Sequence, residues 1–407
     1  MATNSTFPSR VERSPILLRP SILIRVKLSA QDIAVEVIRQ SSREKPADAV
    51  LREVLKGKRG LPPFTTKEVS QLVFLHYRWL GWTRGERNLE AKLRLARRLE
   101  ERFRTSPASF KTAELSANVV PEWAAAELDL SEDWLRSLQS EPRLWLRAKR
   151  GQAAVVAAKL RLAGTLAPPG VPDAVAYDGE EDLFKTPEFH AGEFEIQDIA
   201  SQAVGLLCNP KPGETWWDAC AGEGGKTLHL SDLMQNKGLI WASDRANWRL
   251  EKLKRRAARA KVFNYRCATW DGGAKLPTKT KFDGVLVDAP CSGLGTWQRN
   301  PHARWTTSPD DVQELAEVQA RLLANVASLV KPGGKLIYSV CTLTRSETDA
   351  VVSRFNQTQS EFRLLCLPAL PLGESESRAL ASAATLTIWP HQLGGNGMFV
   401  AAWRRGD

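Results

Sequence analysis

Between Ser29 and Arg104, apolar residues recur at the three-to-four-residue spacing of amphipathic helices, as in Ile33, Val37 and Ile38 and again in Val69, Leu72, Val73, Leu75 and Leu80. That stretch is expected to be a helical domain. Thr105-Ser-Pro-Ala-Ser interrupts it, and Pro121-Glu-Trp restarts a helix. Arg143-Leu-Trp-Leu-Arg147-Ala-Lys-Arg150 alternates Leu or Trp with basic residues in the manner of a strand, and a loop-rich connector around Ala167-Pro-Pro-Gly-Val-Pro follows. From Glu214 the rhythm changes to strand, glycine-rich turn, helix and strand, repeated several times, which predicts an α/β fold with a doubly wound, mostly parallel sheet. Ser308-Pro309-Asp-Asp311 supplies an N-cap, a first-position proline and an acidic first turn for a long helix expected to stop at Lys331-Pro-Gly-Gly334. There is no internal repeat and no low-complexity tract.

Length and charge refine this picture. A chain of 407 residues, 43% hydrophobic, has room for two or three domains with substantial cores. Its net charge of +11 is uneven: residues 1–150 hold 28 Lys and Arg against 18 Asp and Glu, and the remainder is close to neutral. The basic half suits a polyanion such as RNA, and equally a well-solvated helical surface. No apolar run reaches membrane-spanning length, since Ile16 to Val26 is broken by Arg19, Pro20 and Arg25. Six cysteines form no C-x-x-C pair and no cluster with the five scattered histidines, which argues against structural metal and against a disulfide scaffold. Reduced thiols in a cytoplasmic protein are expected. Residues 1–28 read as a disordered extension, with an organelle transit sequence as the alternative.

The candidate chemistry lies in three segments. Thr215-Trp-Trp-Asp218-Ala-Cys220-Ala221-Gly222-Glu223-Gly224-Gly225-Lys226 is a strand entering a glycine-rich turn and then a helix. Glycines admit a ligand close to the backbone, and amides at a helix start face it. The next strand, Leu239-Ile-Trp-Ala-Ser243, ends in Asp244, placed to accept both hydroxyls of a ribose. Together they favour a nucleoside-containing cofactor. Asp271 follows a further apolar run and is either within reach of an adenine amino group or an ordinary turn residue before Gly272; Asp218 either binds the ligand or only braces the loop.

The other two segments, Asp288-Ala-Pro-Cys291-Ser-Gly and Tyr338-Ser-Val-Cys341-Thr, place a thiol at the end of a buried strand about fifty residues apart. In an open α/β sheet that edge is where ligands bind. Two thiols and a carboxylate there suit covalent attack on an electrophilic ring. The first runs on through Trp297, Arg299, Pro301, Arg304 and Trp305, and arginines with tryptophans suit phosphates and an unpaired base.

These segments, with Glu347 downstream of Cys341, resemble the RsmB-like (Sun-type) RNA cytosine-5 methyltransferases over residues 190–405, including Phe194-Glu-Ile-Gln197-Asp198-Ile-Ala-Ser201 and Gly397-Met-Phe-Val400. Residues 30–190 more distantly resemble the NusB-like domain of bacterial members and, from Leu144-Trp-Leu-Arg147, their small bridging subdomain. The resemblance implies a Rossmann-like methyltransferase domain over 201–407, a bridging subdomain over 141–200 and a helical RNA-binding domain over 29–140. It implies S-adenosylmethionine as cofactor, held by residues 220–226 with Asp244, Asp271 and Asp288, and no metal. Cys341 would be the nucleophile at carbon 6 of cytosine, Asp288 would hydrogen-bond the base at N3 as a proton-bearing acid, Cys291 would assist release, and Lys226 joins them as a catalytic residue. Arg147, Arg299 and Arg304 would contact RNA, small-subunit ribosomal RNA first and transfer RNA as the alternative. A monomer is expected. There are three departures from the family pattern: Gly222-Glu223 stands where the family usually has a small residue and proline, Thr342 replaces a serine, and Thr348 an asparagine. The rivals are an idle RNA-binding assembly factor, for which two thiols and three cofactor aspartates have no use, and a DNA cytosine methyltransferase, which would place its nucleophile at Cys291.

Overall fold

The computed structural model describes residues 1, 29–58, 60–162, 170–368, 370 and 383–407. The expected extension over 2–28 and part of the connector before Val171 lie outside them. The helical expectation for the first hundred residues resolves into helices Ala30–Gln40, Ala47–Gly57, Pro63–Arg78 and Leu89–Thr105, and shorter ones follow to Ser137. The first has the capping logic its sequence offers, since Ser29 accepts from the Asp32 amide and Asp32 accepts in return from the Ser29 amide. These helices do not close on themselves. Their core, built on Leu72, Trp79, Phe110 and Trp134, also takes in Leu294, Trp297 and Leu343 from far along the chain.

A small antiparallel sheet comes next, with β1 (Leu144–Ala148) at its centre between β2 (Ala174–Tyr177) and β3 (Phe194–Ile196). The large sheet contains β4 (Thr215–Asp218), β5 (Leu239–Asp244), β6 (Tyr265–Thr269), β7 (Phe282–Asp288), β8 (Val330–Val340), β9 (Phe362–Leu364), β10 (Thr385–Ile388) and β11 (Met398–Arg405). Its order is β10-β11-β8-β7-β4-β5-β6, with β9 also paired to β11. The strands from β8 to β6 are parallel, β11 runs antiparallel to β8, and β9 and β10 each pair antiparallel with β11. This is the doubly wound Rossmann-like arrangement, and its strand order reverses between β4 and β7. A ligand crevice is expected outside the carboxyl ends of those two strands.

One boundary differs from expectation. The helix begun by the Ser308 capping box ends at Ala327, and Lys331-Pro-Gly-Gly334 lies inside β8, where the register against β7 shifts between Phe282 and Gly284. Glycine and proline mark a strand irregularity here rather than a helix stop.

Candidate active site

Each strand of the crevice ends in a functional side chain because the chain turns there. Asp218 closes β4, Asp244 closes β5, Asp288 closes β7 and Cys341 follows β8 directly. Between β4 and the helix Gly225–Leu233, the turn is made by Gly222 and Gly224, both at positive φ (54° and 88°). A Cβ on Gly224 would lie 2.5 Å from Leu253, so this glycine shapes the turn from behind, whereas a Cβ on Gly222 would meet nothing within 4 Å.

In front of the turn is a cavity of about 560 Å³. Of the residues expected to hold a cofactor, Cys220, Ala221, Gly222, Glu223, Gly225, Lys226, Asp244, Asp271 and Asp288 line it, and Cys291 opens into it. Asp244 accepts from the backbone amides of Gly222 (3.0 Å) and Ala246 (2.8 Å). Asp271 is exposed and accepts from the Gly273 amide at 2.8 Å, so it makes the local turn while also facing the cavity. Asp218 is buried, takes the Thr227 hydroxyl on one oxygen at 2.6 Å, and has no partner for the other among the described residues. Burial, the largest influence, pushes its pKa up to about 7. Glu223, where the family pattern has proline, is tied to Lys252 at 2.7 Å, and its carbonyl accepts from Arg256 at 3.0 Å.

Further in, the Lys226 ammonium donates to Asp288 Oδ2 at 2.7 Å, and the Ser339 hydroxyl donates to Oδ1 at 2.8 Å. Both oxygens therefore act as acceptors, whereas the family resemblance implies a donor's part for this side chain at the base. Burial, the largest single influence, works against the Lys226 charge, but the Asp288 carboxylate with smaller help from Cys341 and Asp218 more than offsets it, and the lysine pKa is raised. The Cys291 and Cys341 sulfurs lie 3.3 Å apart. The hydrogen bond to Cys341, then burial and then the Glu347 charge push the Cys291 thiol well above its usual range, so this sulfur keeps its proton. Among the described residues no group of His, Cys, Asp and Glu is arranged to hold a metal ion.

Of the three arginines assigned to RNA, two are buried and one is part-exposed. Arg304 is fully buried and donates to the carbonyls of Val119 (2.9 Å), Leu138 (3.0 Å) and Trp297 (3.3 Å), which corrects its expected surface role. Arg147 is also buried, donating to Gln197 (2.7 Å) and to Asp232 (3.2 Å) on the helix Gly225–Leu233. Its strand lies mid-sheet with both faces covered, so alternation does not point it at solvent. Arg299 keeps partial exposure but is paired with Asp198 at 3.1 Å.

A family model described as 16S rRNA methyltransferase RsmB/F matches residues 205–404. The Ribosomal RNA small subunit methyltransferase B of Xylella fastidiosa (strain 9a5c) is 31% identical over 343 residues, 80% of this chain and 75% of that one. The chain belongs to the RsmB/F family. Two further relatives, each named Probable ribosomal RNA small subunit methyltransferase B, are 37% identical over 263 residues (Synechocystis) and 38% identical over 222 residues (Bacillus subtilis strain 168). The chain spans 57% and 49% of their respective lengths. The solved structure of PH0851 has the same fold, with a TM-score of 0.75 at 24% identity across 93% of this chain and 100% of that one.

Family membership accounts for the segments that the sequence singles out, and it leaves other neighbours of the thiols unmarked. Ser339 and Gln319 touch the site from β8 and from the long helix, and neither residue type at those positions carries a sequence signal of its own. Among the described residues no helix is long and apolar enough to cross a membrane.

Proposed function

We propose that this chain transfers a methyl group from S-adenosylmethionine to carbon 5 of a cytosine in small-subunit ribosomal RNA, through a covalent bond between Cys341 and carbon 6. The observation that carries this reading is the pair of sulfurs 3.3 Å apart, beside the Lys226–Asp288 pair, at the edge of the cavity in front of the glycine turn. The cavity residues fit the cofactor: Asp244 would accept from the ribose hydroxyls, Asp271 would meet the adenine amino group, and the unpartnered oxygen of Asp218 suits an ammonium. When bound, that cofactor supplies the methyl group as a sulfonium.

The chain's own part concerns the pyrimidine ring. Carbon 5 of cytosine is a poor nucleophile until a thiolate adds to carbon 6, and sulfur is suited to that step because it is strongly nucleophilic once ionised. Addition at carbon 6 pushes electron density toward N3, which must take up a proton; the Lys226 ammonium, hydrogen-bonded to Asp288, would pass one through that carboxyl group to N3 and be left as the neutral amine. Release requires removal of the proton on carbon 5 and departure of the Cys341 sulfur. While Cys341 is free, its hydrogen bond is the main reason Cys291 holds its proton. Once Cys341 is bonded to carbon, that influence is gone; the Cys291 thiol can then give its proton to solvent, its thiolate takes the carbon-5 proton, and the electron pair left behind re-forms the ring double bond and expels the Cys341 thiolate.

Asp244 should serve the cofactor alone. Losing charge-assisted hydrogen bonds costs roughly 1.5–3 kcal/mol, so Asp244→Ala is expected to weaken cofactor binding about ten- to a hundredfold in calorimetry, with RNA affinity unchanged. The reaction itself is tested by bisulfite sequencing of total RNA from cells with and without the protein. One cytosine in small-subunit ribosomal RNA should lose its protection. Loss in a transfer RNA would reassign the substrate, and no change at any cytosine would favour the idle assembly factor.

A further inference from the structure

The long helix Pro309–Ala327 buries Val312, Leu322, Leu323, Val326 and Ala327, and among them one polar side chain, Gln319, which is 0% exposed. Its amide nitrogen donates to the Pro290 carbonyl (2.9 Å) and to Glu347 Oε1 (2.9 Å), and its oxygen accepts from the Tyr338 hydroxyl (2.9 Å). Both N–H groups and the carbonyl are thereby used. Glu347 is likewise 0% exposed and has no Lys or Arg ion pair among the described residues. Its Oε1 also accepts from the Ser292 amide at 2.8 Å, and its Oε2 accepts from the hydroxyls of Ser292, Thr342 (3.2 Å) and Thr344 (2.8 Å). Ser292 and Thr342 are the residues immediately after the two cysteines, and Pro290 is the one immediately before Cys291.

We infer that Gln319 is a positioning residue: by gripping Pro290 and the Glu347 carboxylate together, it fixes the separation of the Cys291 and Cys341 sulfurs on which turnover depends. Stability does not call for such a network. Apolar side chains of similar volume often fill a buried polar site at no loss, and a carboxylate buried without a cation is an expensive choice for a core. What the network adds is geometry. Two loops entering from different strands are tied at positions next to each sulfur, and the Tyr338 hydroxyl, its one proton shared between the Gln319 oxygen and the closer Glu347 carbonyl (2.6 Å), connects the clamp to β8. The backbone bond from Gly295 to the Cys341 carbonyl (3.1 Å) holds the loops in contact but lies beyond the sulfurs, so it sets proximity without setting their alignment.

For its effect on turnover this inference rests on the reaction proposed above; for the sulfur geometry it does not. The test therefore reads both. In the full-length protein, diamide oxidises neighbouring thiols to a disulfide and is itself reduced to a hydrazine, and the Cys291–Cys341 peptide is followed by mass spectrometry. Gln319→Met, which keeps length and removes every hydrogen bond, should slow that cross-link roughly tenfold, the scale of one to two lost hydrogen bonds in aligning two groups. On small-subunit ribosomal RNA transcribed in vitro, kcat should fall by a similar factor with KM unchanged, and the protein–RNA adduct should persist longer. Should Gln319→Met fail to fold, Tyr338→Phe removes a single hydroxyl and should slow the cross-link roughly two- to threefold. A lowered melting temperature with cross-linking and adduct lifetime both unchanged would make the network merely structural and overturn the inference. Slower cross-linking in a protein that methylates no RNA would sustain the positioning role while removing the proposed reaction.

Discussion

Cys341→Ala is expected to abolish both methylation and the covalent protein–RNA complex, whereas Cys291→Ala should accumulate a complex that survives denaturing gels. The asymmetry follows from the division of labour between two sulfurs 3.3 Å apart. Without Cys341 no bond to carbon 6 forms, and turnover should fall on the order of 10⁴-fold or more, the scale reached when a covalent nucleophile is deleted elsewhere. Without Cys291 the addition still occurs, but the sulfur proposed to take the carbon-5 proton is missing and the adduct should decay far more slowly. Trapping by Cys341→Ala and not by Cys291→Ala would reverse the assignment and favour the arrangement of DNA cytosine methyltransferases.

The parts of this site that can be read from sequence are those where local chain chemistry and function coincide. A strand that ends at a ligand crevice stops in a turn, and turns announce themselves through Gly, Pro and Asp, so Asp218, Asp244, Asp288 and the Gly222–Gly225 turn stand out in the residue pattern itself. The doubly wound sheet is legible for the same reason. Residues whose role depends on distant packing are not. Strand alternation assigns Arg147 to solvent, yet its strand is central and Asp232, far along the chain, neutralises it. Gln319 in a helix of alternating polar and apolar residues looks like part of a solvated face until β8 and the Cys291 loop are placed against it. The Lys331-Pro-Gly-Gly334 segment misleads in the opposite direction, since turn-forming residues inside an irregular strand carry the same local signal as a helix stop.

Arg304 provides the sharpest contrast, and its replacement is expected to unsettle the whole molecule rather than RNA binding alone. Its guanidinium joins the helix-end carbonyls of Val119 and Leu138 to the Trp297 carbonyl, next to Trp297 stacked on Trp134, so it stands where the helical region meets the loop that leaves Cys291. Burial, with the nearby Arg78 charge, brings its pKa down to about 9, which still leaves it charged at neutral pH and donating. Arg304→Ala would open a cavity and strand the Val119 and Trp297 carbonyls, while Leu138 keeps a bond from Gln139 at 3.3 Å; each stranded carbonyl costs about 1–3 kcal/mol, and the total loss should reach roughly 3–5 kcal/mol. Arg304→Lys keeps the charge but cannot present a planar fork to carbonyls from separate segments, so it too should lower the melting temperature. A phosphate contact predicts something else for the lysine variant: an unchanged melting temperature, with RNA affinity that retains its salt dependence. Thermal unfolding of both variants beside salt titrations of RNA binding separates the two roles. A lysine variant as stable as the parent would return Arg304 to the RNA surface, and one that melts early would show that the helical region and the catalytic loop are held as one body through this side chain.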